Sequence, residues 1–185
     1  MNVINCIKEC QKCNLYINQT PLIDRTTKAQ VFFVGISAKI AKSDDEMPLS
    51  PTTNSGMLIQ KVEELCPNIG IYKTNLVKCV PLDDDGKLRY PTKEEINHCF
   101  ENLLVELQEI KPKIVFLLGN KVISTIESHM KVKFSKWDGF DFQYKKINGI
   151  YYIPIQHPSY IYVYKRKQIE EYVNAIVQSI NKIMA

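Results

Sequence analysis

No stretch of this chain approaches the roughly 18 consecutive apolar residues of a membrane-crossing helix, so no span is expected. The opening residues, Met1-Asn2-Val3-Ile4-Asn5-Cys6, carry neither a basic n-region nor an apolar h-region, and a cytoplasmic protein is expected. Repeats, low-complexity tracts and linker-like segments are also missing from the 185 residues. One domain over residues 1–185 is therefore expected. At 45% hydrophobic residues the chain can bury a core without disulfide staples. In a reducing compartment its six cysteines are not expected to pair with one another. Nothing signals an oligomer, and a monomer is the default.

The net charge of +4, with a pI near 8.6, suits an anionic partner without demanding one. Its placement says more. Lys131, Lys133, Lys136, Lys145 and Lys146, then Lys165, Arg166 and Lys167, crowd the last third beside Trp137 and several tyrosines. Basic residues among aromatics can track phosphates and stack on bases. A solvated helix face beside a tyrosine-rich edge explains the same pattern.

Short apolar runs alternate with helical patterns. Ala29–Gly35, Ile71–Val77 and Lys113–Leu118 read as buried strands. Ser55–Cys66 carries a helical stripe stopped by Pro67-Asn68. Thr92 with Glu95 forms a capping box that opens a helix to about Ile110, and a further helix spans about Lys121–Ser128. Asn148-Gly149 joins Phe142–Ile147 and Tyr151–Ile155 as a hairpin. A last amphipathic helix runs from about Lys165 to Met184. This alternation predicts an α/β fold with a mainly parallel sheet covered on both faces. Ligands of such sheets sit beyond the carboxyl ends of the strands, after Gly35, Val77, Gly119 and Ile155.

Cys10-Gln11-Lys12-Cys13 is a C-x-x-C pair, while Cys79 follows the second strand and Cys99 lies within the Thr92 helix. Four thiolates can hold a [4Fe–4S] cluster or a structural zinc, and spacing does not separate these from a metal-free reading. Cys66, closing an amphipathic helix, reads as a small core hydrophobe.

Taken together, these pieces resemble family 4 uracil-DNA glycosylases over nearly the whole length. Cys10-x-x-Cys13-x-Leu15 is similar to that family's first pair of cluster ligands. Tyr72-Lys73-Thr74-Asn75-Leu76-Val77-Lys78-Cys79 resembles its strand motif, and Glu94-Glu95-Ile96 with Cys99 its fourth-ligand segment. Gln156-His157-Pro158-Ser159-Tyr160 resembles the second active-site motif. The resemblance implies a three-layer α/β/α domain around a central four-stranded sheet. It implies a [4Fe–4S] cluster on Cys10, Cys13, Cys79 and Cys99, with zinc as the alternative. It further implies excision of uracil from single- or double-stranded DNA: Asn75 reads the base, and His157 stabilises the departing anion. Ser159, Tyr160 and Ile161 then fall where the family inserts a loop into the duplex, with Tyr160 or Ile161 as the wedge, while Lys165 and Arg166 meet phosphates.

Two departures stand out. The family's Gly-Glu-Ala-Pro-Gly is replaced by Gly35-Ile36-Ser37-Ala38-Lys39, so Ile36 stands for the carboxylate that handles the attacking water. Ser37 Oγ, backbone carbonyls near Ile36, or a carboxylate of Asp44, Asp45 or Glu46 are left to hold that water. The family's Pro-Phe-Val-Gly is replaced by Pro48-Leu49-Ser50-Pro51, so Leu49 stands for the stacking phenylalanine. An Asp83-Asp84-Asp85-Gly86 turn also lengthens the loop between Cys79 and Cys99. Three readings compete: an active glycosylase, a relative that binds DNA or protein without catalysis, and an enzyme for another base.

Overall fold

The computed structural model describes residues 3–185. Met1 and Asn2, part of the segment expected to lack a leader's features, lie outside the described residues. Among the described residues no helix is long and apolar enough to cross a membrane.

The chain begins with a short helix α1 (Val3–Ile7) and a 3-10 turn at Asn14–Ile17, and then enters the sheet. The elements that follow are β1 (Val31–Ser37), α2 (Asn54–Leu65), β2 (Ile71–Val77), α3 (Lys93–Ile110), β3 (Ile114–Leu118) and α4 (Asn120–Met130). β4 (Lys145–Ile147), β5 (Ile150–Ile155), α5 (Pro158–Tyr164) and α6 (Ile169–Met184) complete the fold. The sheet has five strands in the order β2-β1-β3-β5-β4. Four are parallel, and β4 pairs antiparallel to β5. The expected four-stranded sheet thus gains an edge strand, the first arm of the Asn148-Gly149 hairpin.

Side-chain alternation along the strands builds two cores. Val31, Phe33, Phe116 and Ile153 pack on the face covered by α2 and α6, and Phe33 stacks on Phe116 at 4.9 Å. Phe32, Val34, Val115 and Leu117 pack on the other face against Phe100 and Leu103 of α3 and Val122 and Ile126 of α4. Period-2 burial on both faces is what near-continuous apolar strands produce in a covered parallel sheet. Cys66 is buried in the first core, as expected of a small hydrophobe.

Some boundaries differ from expectation. The arm expected over Phe142–Ile147 is a strand only from Lys145, because Phe142 turns into the first core against Tyr172. The last helix, expected from about Lys165, starts later: a 3-10 turn spans Arg166–Gln168 and α6 begins at Ile169, while the separate helix α5 ends at Tyr164. The capping box forms as read, with Thr92 Oγ1 accepting from Glu95 N at 3.2 Å and the Glu95 carboxylate accepting from Thr92 N at 2.7 Å.

The path from β1 out to β2 and back across to β3 reverses the winding of the sheet at β1. Such a reversal opens a crevice at the carboxyl ends of the strands.

Candidate functional site

A cavity of about 500 Å³ opens at that edge. Gly35, Ile36 and Ser37 of β1, Asn75 of β2, and His157 and Ser159 after β5 all line it. These three segments, distant in sequence, converge because parallel strands end together.

Asn75 pairs in register with Gly35 on the neighbouring strand. It is only 3% exposed, and its carboxamide makes no hydrogen bond to another described residue. A buried amide left open to a cavity points to a ligand, because unpaired buried polar groups are costly. Gly35 is required for this arrangement: a Cβ there would overlap Asn75 Oδ1 and lie 3.4 Å from Leu49 Cδ2. Leu49 therefore walls the cavity beside the amide, and holds a left-handed backbone (φ 51°) that is rare for leucine.

His157 caps the N-terminus of α5, and Pro158 opens that helix. Its Nδ1 accepts from Ser159 N at 3.3 Å and lies 2.8 Å from Ser159 Oγ. A backbone N–H can only donate, so Nδ1 carries no proton and the neutral ring bears its proton on Nε2. Burial first, and then the Lys39 ammonium, push His157 below its ordinary value of 6.5. The ring is thus kept neutral, with Nε2–H as a donor. Gly119, at φ +86°, lets β3 pass close behind the ring, where a Cβ would come 3.0 Å from His157 Cβ.

Of the three acids considered for the water, Glu46 alone lines the cavity. Its carboxylate accepts from Lys42 N and, at 3.1 Å, from Thr52 Oγ1. The Lys42 N–H bond, ahead of the other causes, holds Glu46 below the usual carboxylate range. Asp45 instead pairs with Arg25 at the surface.

The expected duplex-facing residues divide. Tyr160 is exposed on α5 with its ring against Tyr164 at 5.3 Å. Ile161 is 0% exposed and packed in the first core. It cannot enter a duplex, since the segment after His157 is a helix and its inward face holds that position. Lys165 is half-buried over the Phe140 ring, and Arg166 lies over the Tyr162 ring.

A second, much smaller cavity is lined by Cys10, Cys13, Cys79 and Cys99, the four cysteines expected as ligands. Asn102 Nδ2 lies 3.4 Å from Cys10 Sγ and 3.6 Å from Cys99 Sγ, while Lys78 N donates to Cys99 Sγ at 3.4 Å. Burial, and then the neighbouring Cys99, Cys13 and Cys10, push the Cys79 thiol up to about 12. Among the described residues no three His, Cys, Asp or Glu side chains converge on one position that could hold a metal ion. The four thiols fit a cluster through the chemistry of the set, all sulfur with hydrogen-bond donors turned to Cys10 and Cys99, rather than through convergence on a point. Cys6 is exposed and lines neither cavity.

Sequence reasoning missed Leu88, Arg89 and Tyr90, which reach the first cavity from the lengthened loop after Cys79. The acidic turn was the only signal. It also missed α5, although Pro158 after a helix-capping His157 marks a first helical turn.

Comparison with known proteins bears on this arrangement. The family model of the uracil DNA glycosylase superfamily matches residues 21–181. A type-4 uracil-DNA glycosylase of Thermotoga maritima is 27% identical over 180 residues, covering 95% of this chain and 88% of that one. A second, from Archaeoglobus fulgidus, is 26% identical over 182 residues, covering 92% and 86%. The crystal structure of wild-type SMUG2 from Pedobacter heparinus superposes with a TM-score of 0.54 at 13% identity, over 84% of this chain and 76% of that one, a likeness of fold alone. The chain belongs to the uracil DNA glycosylase superfamily.

Proposed function

We propose that the protein excises uracil from DNA by hydrolysing the N-glycosidic bond of an extruded nucleotide. The observation that carries this reading is one cavity holding both an unpartnered, buried Asn75 carboxamide and a neutral His157 imidazole. A stacked duplex hides the bond, so the nucleotide must swing out or the strand must be single. Asn75 offers a donor to uracil O4 and an acceptor to N3–H, a pattern that cytosine does not match. As the bond breaks, negative charge gathers on the base, and His157 Nε2–H is set to donate to O2. A single donor of this kind is worth about 2.7–4 kcal/mol of barrier.

The water is held without the family's carboxylate. Ile36 and Ser37 line the cavity where it would stand, and Glu46 is the carboxylate that faces the same space. This supports hydrolysis at a reduced rate, with Ser37 or Glu46 orienting the water. Cys10, Cys13, Cys79 and Cys99 hold a [4Fe–4S] cluster in this reading. The bound cluster would supply a structural tie between the N-terminal arm, the loop after β2 and α3.

A second reading, a binding module without catalysis, rests on Ile36 and Leu49 on the cavity wall. One assay separates the two. Oligonucleotides carrying a single uracil, thymine or cytosine are incubated with the protein, and free base and abasic sites are measured. Release of uracil alone supports the glycosylase; tight binding without release supports the module.

A further inference from the structure

Among the described residues lining the first cavity, Tyr90 carries the only aromatic ring besides the His157 imidazole. Leu49 stands on the wall where an aromatic platform was expected, so Tyr90 at the mouth is the phenol ring this cavity offers a base among the described residues. Tyr90 is 65% exposed, against 3% for Asn75, which puts it at the rim and the carboxamide on the inner wall.

The rim is not a loose loop. Asp83 Oδ1 closes its turn by accepting from Asp85 N at 3.0 Å and Lys87 N at 2.8 Å, and Leu82 bridges to Leu88. Arg89 grips Glu95 of α3 with both terminal nitrogens, at 2.9 and 2.7 Å, and donates from Nε to Leu82 O at 2.9 Å. One of those nitrogens also donates to Tyr90 O at 3.1 Å. Arg89 thus holds the Tyr90 carbonyl in place while the Tyr90 ring stands largely in solvent. A pre-set ring loses little entropy when it stacks.

Charge completes the pattern. Lys121, at the start of α4, sets its ammonium 4.4 Å from the Tyr90 ring centroid and so covers one face only. Lys39 and Lys42 stand on the cavity wall. An aromatic step flanked by cations is the chemistry that holds a nucleic-acid strand.

We propose that Tyr90 is a stacking step for the base that flanks the extruded nucleotide, with Lys121 meeting the adjoining phosphate. The inference rests on the glycosylase reading and assigns this site its strand contact. The test is fluorescence anisotropy with a labelled single-stranded oligonucleotide carrying one tetrahydrofuran abasic analogue, which needs no catalysis. Tyr90→Ala is expected to weaken binding about ten-fold, the loss of one base–aromatic stack, while Tyr90→Phe keeps the stack. Competition by free uracil, which senses the inner wall, is expected to be equal in wild type and Tyr90→Ala. Equal oligonucleotide affinity in wild type and Tyr90→Ala overturns the inference while leaving the glycosylase reading intact. Loss of uracil competition in Tyr90→Ala also overturns it, because the ring would then belong to the inner wall. A wild type that binds no oligonucleotide overturns both.

Discussion

Lys78 and Glu106 form a salt bridge of 2.6 Å in which both side chains are completely buried. The same ammonium donates to Thr74 Oγ1 at 2.7 Å and to Asn75 O at 2.6 Å, so all three of its protons are used. Glu106 in turn accepts from Tyr72 and Thr74 hydroxyls. A fully satisfied charge pair therefore ties α3 to the backbone of the residue assigned to read the base. Lys78 also precedes Cys79, which places this network between the two cavities.

Breaking such a pair on one side leaves an uncompensated buried charge. Glu106→Leu alone is expected to cost about 3–5 kcal/mol, whereas Lys78→Met with Glu106→Leu is expected to recover most of that loss. Urea unfolding of the three proteins checks this. A double variant no more stable than the single one contradicts it.

Gly35→Ala pushes a methyl group into Asn75 Oδ1. Overpacking costs about 1–3 kcal/mol, and the displaced carboxamide is expected to lower uracil excision on the order of 100-fold. Thermal unfolding and single-turnover rates measure the two effects separately. A folded variant with an unchanged rate argues against Asn75 as the reading group.

The His157 ring is held below its ordinary 6.5, so it is neutral and donating above that value. Excision is expected to be level above pH 6.5 and to fall only below it, as the ring gains its second proton. Linkage carries the same sign. The unfolded chain binds this proton first, so the stabilising contribution is full above the unfolded value and is lost as pH falls through the folded one. Comparing the acid limb of urea midpoints for wild type and His157→Ala isolates that part. A rate that falls at a pH above 6.5 contradicts the assignment.

Iron and sulfide content, with visible absorption of anaerobically purified protein, checks the cysteine set. Alanine at Cys10, Cys13, Cys79 or Cys99 is expected to remove the chromophore, and alanine at Cys6 or Cys66 to leave it. A colourless wild type containing one zinc contradicts the cluster.

Much of the fold was legible because local signals agreed with the global pattern. Ile71–Val77 has the bounds read from its apolar run, and Thr92 with Glu95 forms the box that its spacing announces. Asn75 and His157 were placed near each other because every parallel strand presents its carboxyl end to one edge. Other features depend on packing that no local pattern encodes. Ile161 reads as an exposed wedge by motif position, yet the α5 helix turns it into the core. Phe142 looks like strand, but its contact with Tyr172 takes it out of the ladder. Tyr90 reaches the cavity only because Arg89 anchors its loop to Glu95, a contact that depends on where α3 sits in space.

Excision in the proposed reaction depends on an imidazole that stabilises the anion of an extruded base facing a buried side-chain amide. Single-turnover release of uracil from a single-stranded oligonucleotide, by wild type and by His157→Ala, tests this most directly. Removal of the donor is expected to slow release by about 10²–10³-fold with the protein still folded. Equal rates for the two proteins would contradict it.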